Sequence, residues 1–99
     1  MLTETDYLLI CADEECAEVQ QAISKALRFG LGDNNPHTPR QSNAVDIAYE
    51  LADTIAIFRI LQEKNIIPTL DLEKLVSNKR DKVSKYLEIS KKLGRVKCN

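Results

Sequence analysis

The residues that could do chemistry in this sequence are two pairs of acids. Glu15 and Glu18 form one acid-x-x-acid pair, and Glu50 and Asp53 form another. Side chains three residues apart share a face of a helix, so each pair points two carboxylates the same way. If the two helices pack side by side, four carboxylates converge, and their ionised forms repel one another. Mg²⁺ relieves such repulsion, because it prefers oxygen ligands and keeps waters that a phosphate can displace.

Other metal and nucleotide chemistries fit the sequence less well. Di-iron bundles need Glu-x-x-His pairs on helices, whereas the single histidine, His37, lies in a predicted loop. EF-hand calcium sites place their acids within one loop of about twelve residues. The chain has neither a P-loop motif nor a Rossmann glycine pattern. Mg²⁺-assisted phosphoryl chemistry therefore remains.

The first acidic pair lies in a segment that predicts a helix from about residue 3 to about residue 29. Thr3 and Asp6 resemble a capping box at its start, and Gly30 suits its C-terminal cap. Apolar residues at steps of three and four predict one buried stripe. Its members are Leu8 or Leu9, Ala12, Cys16, Val19, Ile23, and Ala26 or Leu27.

The second acidic pair lies in a helix predicted from about residue 43 to about residue 64, after a loop over 30–42. Ser42 or Asn43 is the expected N-cap. The predicted apolar stripe consists of Ile47, Leu51, Ile55, Phe58 and Leu61, and a row of small residues consists of Ala44, Ala48, Ala52 and Ala56. Such a row lets a neighbouring helix come close, and Glu50 and Asp53 flank it.

A third helix is predicted over about 71–93, with Asp71 as its N-cap. Its apolar pattern loosens near Asn78, so the segment could divide into two helices. Leu72, Leu75, Val76, Val83, Tyr86 or Leu87, and Leu93 are expected to face inward. Residues 94–99 are expected to form a loose tail.

Length and composition predict one all-α domain spanning residues 1–99. Hydrophobic residues make up 43% and charged residues 29% of the chain, as in soluble globular proteins. No apolar run could span a membrane, and the N-terminus lacks the basic region of a signal peptide. The odd number of cysteines indicates reduced thiols in a cytoplasmic setting. We expect an antiparallel bundle of three long helices, or four if the third divides, completed by homo-oligomerisation to a homodimer or homotetramer.

Charge is unevenly distributed along the chain. Residues 1–70 hold eleven acids and five bases, a net of −6, whereas residues 71–99 hold four acids and nine bases, a net of +5. The two parts could attract each other as packed helices, or they could supply a metal site and the cations that hold a polyphosphate. The overall charge of −1 and the scarcity of aromatic residues argue against a nucleic-acid binder.

The acidic motifs and their context resemble the all-α nucleoside triphosphate pyrophosphohydrolases, the MazG-like proteins related to dimeric dUTPases. The likeness covers roughly residues 7–95. It is carried by Glu14-Glu15-x-x-Glu18, the segment 22–30 (Ala-Ile-Ser-Lys-Ala-Leu-Arg-Phe-Gly), Asn43, Glu50-x-x-Asp53, and Lys79-x-x-Lys82-Val83-x-x-Tyr86-Leu87. One departure is Ala52, where many relatives carry glycine; alanine is small enough that we expect the helix packing to survive.

The resemblance implies hydrolysis of a nucleoside triphosphate between the α and β phosphates, giving the monophosphate and pyrophosphate. It implies that Glu15, Glu18, Glu50 and Asp53 hold Mg²⁺, with Mn²⁺ as a possible substitute. It assigns phosphate contacts to Lys25, Arg28, Lys79 and Lys82, and a nucleotide contact to Asn43. Glu14 and Glu15 become candidates for the base that activates water.

Two other interpretations of the same residues stay open. The acids on the first helix could be a solvated face whose charges pair with Lys25 and Arg28 along the helix. The whole chain could be a non-catalytic helical homo-oligomeric interaction protein whose acids pair with the basic third helix. In that case Mg²⁺ would not change its melting temperature.

Overall fold

The computed structural model describes residues 1–35 and 38–99, and it confirms the all-α class. The helices in this part of the chain are α1 (Glu4–Phe29), α2 (Asn43–Glu63) and α3 (Leu72–Lys92). The chain divides into two compact units, Met1–Pro68 and Thr69–Asn99.

Helix α1 begins and ends where its capping residues predict. Thr3 Oγ1 accepts a hydrogen bond from the Asp6 backbone at 3.0 Å, and the Asp6 carboxylate accepts one from the Thr3 backbone at 3.0 Å. This reciprocal capping box satisfies two N–H groups that a helix start leaves without partners. At the other end Gly30 has a φ of 98° and donates its N–H to the Ala26 carbonyl at 2.8 Å. Such a backbone conformation favours glycine.

Helix α2 is held at its start by the chain that precedes it. The Ser42 hydroxyl accepts from the Val45 backbone at 3.2 Å. The carbonyls of Leu31 and Asp33 accept from the first two N–H groups of the helix, those of Ala44 and Asn43. The turn after α1 is therefore bonded directly to the start of α2.

The end of α2 is a Schellman motif built on an asparagine. Asn65 has a φ of 56°, a left-handed conformation that asparagine tolerates better than most residues. Its N–H bonds the Gln62 carbonyl at 3.0 Å, and the Ile66 N–H bonds the Leu61 carbonyl at 2.9 Å. Ile66 and Ile67 then turn back onto the core.

The segment expected to be a loop contains a short antiparallel ribbon. Strand β1 (Asn34–Asn35) pairs with β2 (Thr38–Ser42), with Asn34 opposite Ser42 and Asn35 opposite Thr38. A register irregularity separates these two pairs. The ribbon tolerates Pro39 because a two-stranded sheet has free edges, where a residue without an N–H is accepted. The tip, which includes His37, lies outside the described residues.

Helices α1 and α2 run antiparallel, as their cross-contacts show. Glu4 at the start of α1 pairs with Lys64 at the end of α2, with 2.6 Å between Oε1 and Nζ. Between the ends, Ala12, Ile57 and Leu61 form one buried cluster against which Leu8, Cys11, Ile66 and Ile67 pack. Leu61 is the most completely buried of these residues, with 1% of its surface exposed. The buried residues Ala22 and Ala26 extend the packed face of α1 toward the ribbon.

The buried face of α2 differs from the apolar stripe expected for it. Leu61 is buried as predicted, but Leu51, Ile55 and Phe58 are 48%, 43% and 37% exposed. The face that meets α1 instead carries Glu50, Thr54, Ile57 and Leu61. The prediction was wrong because α2 is apolar on more than one side, so periodicity alone does not select the side that packs. On α1, Ile23 is likewise exposed, whereas Ala26, one of the two alternatives given for its position, is buried.

The unit Thr69–Asn99 is built on one continuous helix. Asp71 caps α3 by accepting from the Lys74 backbone at 3.2 Å. The helix runs through Asn78 without a break and ends in a second Schellman motif at Gly94, which has a φ of 72°. None of its residues is buried, so the apolar side chains expected to face inward are exposed.

The sequence predicts that no segment crosses a membrane and that the cysteines are reduced thiols. Among the described residues, the helices are too short or too polar for a membrane crossing. Cys11, Cys16 and Cys98 are all free thiols, the first two half-buried and the third exposed.

Candidate metal centre

Three carboxylates meet where α1 and α2 face each other. Glu15 comes from the middle of α1, and Glu50 and Asp53 come from one turn of α2. One oxygen from each lies within 4.8 Å of the others. Because α1 and α2 are antiparallel neighbours, two acids that are three positions apart on α2 reach the same point on α1. We call Glu15, Glu50 and Asp53 the acidic triad.

Two oxygens of the triad are buried without a hydrogen bond. These are Oε2 of Glu15 and Oε2 of Glu50, and neither has a partner among the described residues. Buried polar atoms are nearly always hydrogen-bonded, because removing them from water without compensation costs free energy. Two such atoms in one place would be stabilised by a bound ligand or by protonation of the carboxylates.

The same surroundings raise the pKa of both glutamates above the ordinary value of 4.5. For Glu15 the main cause is burial, followed by the nearby charges of Glu18 and Asp53. For Glu50 the main cause is again burial, followed by a hydrogen bond with Glu18 and by its charge. Both effects disfavour the ionised carboxylate, and a bound cation would reverse them.

Glu18 is the fourth acid that the sequence placed at this site. It is exposed, and its carboxyl group lies close enough to Glu15 and Glu50 to affect the pKa of each. It also lines the cavity described below. The structure therefore brings together all four predicted metal ligands, three as a tight triad and Glu18 at its edge.

An open cavity of about 270 Å³ lies beside the acids, between the two helices and the ribbon. Its lining residues are Glu18, Gln21, Ala22, Lys25, Gln41, Asp46 and Glu50. Among the described residues of this lining, Lys25 is the one cation, two helical turns along α1 from Glu18. A metal-chelated phosphate chain needs such an arrangement, with acids at one end and a cation within reach.

The donor set of the triad fits a hard divalent cation. All three groups are carboxylates, and two of them present buried oxygens that lack other partners. In an octahedral Mg²⁺ site, opposite ligands lie about 4.2 Å apart, twice the Mg–O distance of about 2.1 Å. The separations within the triad reach at most 4.8 Å.

Two predicted residues of α1 lie near the site but outside the triad. Glu14 is exposed, and its charge contributes to the raised pKa of Glu15. Arg28 lies beyond Lys25, with its guanidinium 4.9 Å from the centre of the Phe29 ring. Neither residue lines the cavity.

Asn43 is used within the fold. Its side chain is 4% exposed, and its amide nitrogen donates to the Gly30 carbonyl at 2.9 Å. This bond ties the start of α2 to the end of α1. Asn43 does not line the cavity.

Lys79 and Lys82 belong to the other compact unit. There they line a shallow groove of about 350 Å³ whose floor is formed by Val83, Tyr86, Leu87 and Val96, with Ser90 beside them. Both lysines are exposed on α3.

The structure adds site residues that sequence reasoning missed. Gln21, Gln41 and Asp46 line the cavity, and the Gln41 side-chain amide donates to the Asp46 carboxylate. The spacing of residues along a helix could have predicted two of these three lining residues. Gln21 is three positions after Glu18, and Asp46 is four positions before Glu50. Gln41 carries no such signal, since it lies on the ribbon that the sequence did not predict.

Comparisons of the chain with protein-family models, with curated proteins and with solved structures found no match.

Proposed function

We propose that this chain is a Mg²⁺-dependent nucleoside triphosphate pyrophosphohydrolase. It cleaves between the α and β phosphates and releases the nucleoside monophosphate and pyrophosphate. The observation that carries the proposal is the acidic triad with its two buried oxygens that lack partners, next to a cavity that contains Lys25. The reaction itself is taken from the resemblance of the motifs to the MazG-like proteins.

The proposal assigns the metal to Glu15, Glu50 and Asp53, with Glu18 completing the set. Mg²⁺, or Mn²⁺ in its place, would neutralise phosphate oxygens and lower the pKa of the attacking water. Glu18 and Glu50 both line the cavity, so a ligand in the cavity would contact carboxylates of the proposed metal site directly.

The remaining residues hold the substrate and move a proton. Lys25 projects into the cavity and would hold a phosphate and stabilise its developing charge. Glu15 or the adjacent Glu14 would accept the proton of the attacking water. Arg28, Lys79 and Lys82 are proposed as further phosphate contacts and Asn43 as a nucleotide contact, all on the resemblance alone.

The proposal also includes assembly into a homodimer or homotetramer in the cytoplasm. The support for assembly is the apolar surface that is exposed on α2. On α2, Leu51, Ile55 and Phe58 are more than a third exposed, and the alanine row beside them is exposed along its whole length. Contiguous apolar surface of this kind commonly marks an interface. An antiparallel bundle completed by a second chain would cover it.

The experiment that tests the activity is a panel of nucleoside triphosphates and deoxynucleoside triphosphates, standard and base-modified, incubated with Mg²⁺. Products are resolved so that pyrophosphate is distinguished from phosphate. Pyrophosphate with an equal amount of monophosphate, lost on addition of EDTA, is the expected result. Release of phosphate instead would place the cleavage at another bond. No turnover with Mg²⁺ or Mn²⁺ would overturn the proposal.

A second candidate is a non-catalytic helical homo-oligomer, which the exposed apolar faces favour on their own. The two candidates differ in their response to metal. An interaction protein without a metal site would melt at the same temperature with and without Mg²⁺. The proposed enzyme gains stability from any cation that binds its folded state alone.

A further inference from the structure

Thr54 touches the backbone at two of the three triad ligands. Its Oγ1 lies 2.9 Å from the Glu50 carbonyl oxygen and 3.3 Å from the Glu15 carbonyl oxygen. The residue is half-buried and directly follows Asp53, the third ligand. Neither the acidic motifs nor their resemblance to other proteins assigns a role to Thr54.

The two contacts have different meanings. A threonine hydroxyl that donates to the carbonyl four positions back is an ordinary feature of helices and bonds α2 to itself. The contact with Glu15 spans 39 positions of sequence and joins α2 to α1. The single hydroxyl proton is shared between this contact and the closer Glu50 carbonyl. The contact lies beside the hydrogen bond that joins Glu18 of α1 to Glu50 of α2.

The region around Thr54 needs such a contact. The carboxyl groups of Glu15, Glu18, Glu50 and Asp53 lie close together there, and repulsion between ionised carboxylates opposes the approach of α1 and α2. The buried cluster of Ala12, Ile57 and Leu61 holds the helices together, but it lies toward the other end of the contact. Thr54 lies between this cluster and the acids, and its branched side chain has few rotamers, so it makes a stiff spacer.

We propose that Thr54 is the positioning residue of the metal centre, holding α1 against α2 at the spacing that lets Glu15 share a divalent cation with Glu50 and Asp53. This inference rests on the proposed function, since it requires that the triad binds a cation. Thr54 itself binds neither the cation nor the substrate. It acts through the backbones of Glu15 and Glu50.

The test is the affinity of the full-length protein for Mn²⁺, measured by electron paramagnetic resonance of the free ion. Thr54→Val keeps the shape of the side chain and removes the hydroxyl, whereas Thr54→Ser keeps the hydroxyl. We expect Thr54→Val to weaken Mn²⁺ binding by about tenfold, at the low end of the range for residues that orient metal ligands. Thr54→Ser should stay within about twofold of wild type. Thr5→Val, at an exposed threonine of α1, is the matched control and should bind as wild type does.

Circular dichroism and urea unfolding of each variant separate a loss of affinity from a loss of fold. If Thr54→Val does not fold, Thr54→Ala serves as the second variant without the hydroxyl. Wild-type affinity in a folded Thr54→Val protein would overturn the inference and leave the metal centre intact. A Thr54→Ser protein as weak as Thr54→Val would also overturn it, since the hydroxyl would then not be the cause. Failure of the wild-type protein to bind Mn²⁺ would overturn the proposed function together with the inference.

Discussion

Glu15 and Glu50 face each other across the contact between α1 and α2, and each keeps one buried carboxylate oxygen without a hydrogen-bond partner in the described part of the chain. The two residues are 35 positions apart in sequence and belong to separate motifs. The metal-free fold is locally destabilised here, because each carboxylate is partly removed from water and is repelled by neighbouring acids. Several measurable properties depend on this destabilisation.

Mg²⁺ should stabilise the protein, and Glu50→Gln should abolish that effect. A cation at a hundred times its dissociation constant adds about 2.7 kcal/mol to the free energy of unfolding if it binds only the folded state. Thermal melts with EDTA and with Mg²⁺ measure the gain. In EDTA, Glu50→Gln should melt above wild type, because it removes one of the repelling charges. Glu63→Gln, at an exposed acid on the same helix, should respond to Mg²⁺ as wild type does.

The stability of the metal-free protein should depend on pH through the same glutamates. Their pKa values are raised in the fold, so between the ordinary value of 4.5 and the raised value the folded state binds more protons than the unfolded state. The free energy of unfolding therefore falls as pH rises through that interval. Their contribution is most favourable at or below pH 4.5.

Urea unfolding in EDTA at pH 5 and pH 7.5 tests this dependence, with Glu50→Gln as the comparison. The difference between the two proteins isolates the site, since the exposed carboxylates Glu4 and Asp6, whose pKa values are lowered, are common to both. Wild type should lose more stability than Glu50→Gln between the two pH values. Parallel behaviour would show that the pKa values of Glu15 and Glu50 are not raised in the fold.

Asp53→Ala and Glu18→Ala should each abolish pyrophosphate release while leaving the helical circular dichroism spectrum unchanged. Asp53 belongs to the triad, and Glu18 lies at the edge of the triad and of the cavity. Both are exposed, so truncation leaves no void in the core. Glu63→Ala is the matched control. Turnover retained in both site variants would contradict the assignment of the metal ligands.

Asn43→Ala should lower stability by about 1–3 kcal/mol, the cost of leaving a buried group without its partner. The lost bond is the one that joins the Asn43 amide to the Gly30 carbonyl. Urea unfolding measures the change, with Asn78→Ala at an exposed position of α3 as the control. If Asn43→Ala is as stable as wild type but binds nucleotide poorly, the residue contacts the nucleotide directly.

Phe58→Glu and Leu51→Glu should shift the protein toward monomer. Both side chains lie on the open face of α2, 37% and 48% exposed, and a charge there opposes burial against a second chain. Size-exclusion chromatography with light scattering gives the mass of each variant. An unchanged mass in both would move the proposed interface away from this face.

The helix ends could be predicted because their signals are local. Each capping residue acts on a backbone group within a few positions of itself, so its identity alone indicates a helix end. These residues are Thr3, Ser42, Asp71, Gly30 and Gly94. The acidic site could be predicted for a related reason. Two acids three positions apart share a face in any helix, and only the meeting of the two helices had to be assumed.

The buried faces could not be predicted from periodicity. Helix α2 carries apolar side chains on several sides. The side that meets α1 includes Glu50 and Thr54, which a search for a stripe of apolar residues does not select. The ribbon was missed because its two strands are short and rich in asparagine, threonine and proline, with no alternation of apolar residues. The Thr54 contact depends on the register between two helices, which sequence spacing within one helix does not contain.

The exposed alanine row on α2 has a thermodynamic consequence. Ala52 lies between Glu50 and Asp53 in the sequence. A second chain that packs against the alanine row would therefore contact the backbone that positions these two ligands of the triad. If copies of the protein associate there, self-association and cation binding become linked equilibria. Linkage is reciprocal, so a cation that tightens association tenfold must itself bind tenfold more tightly to the associated form, by about 1.4 kcal/mol. The concentration of the protein would then set its sensitivity to the ion.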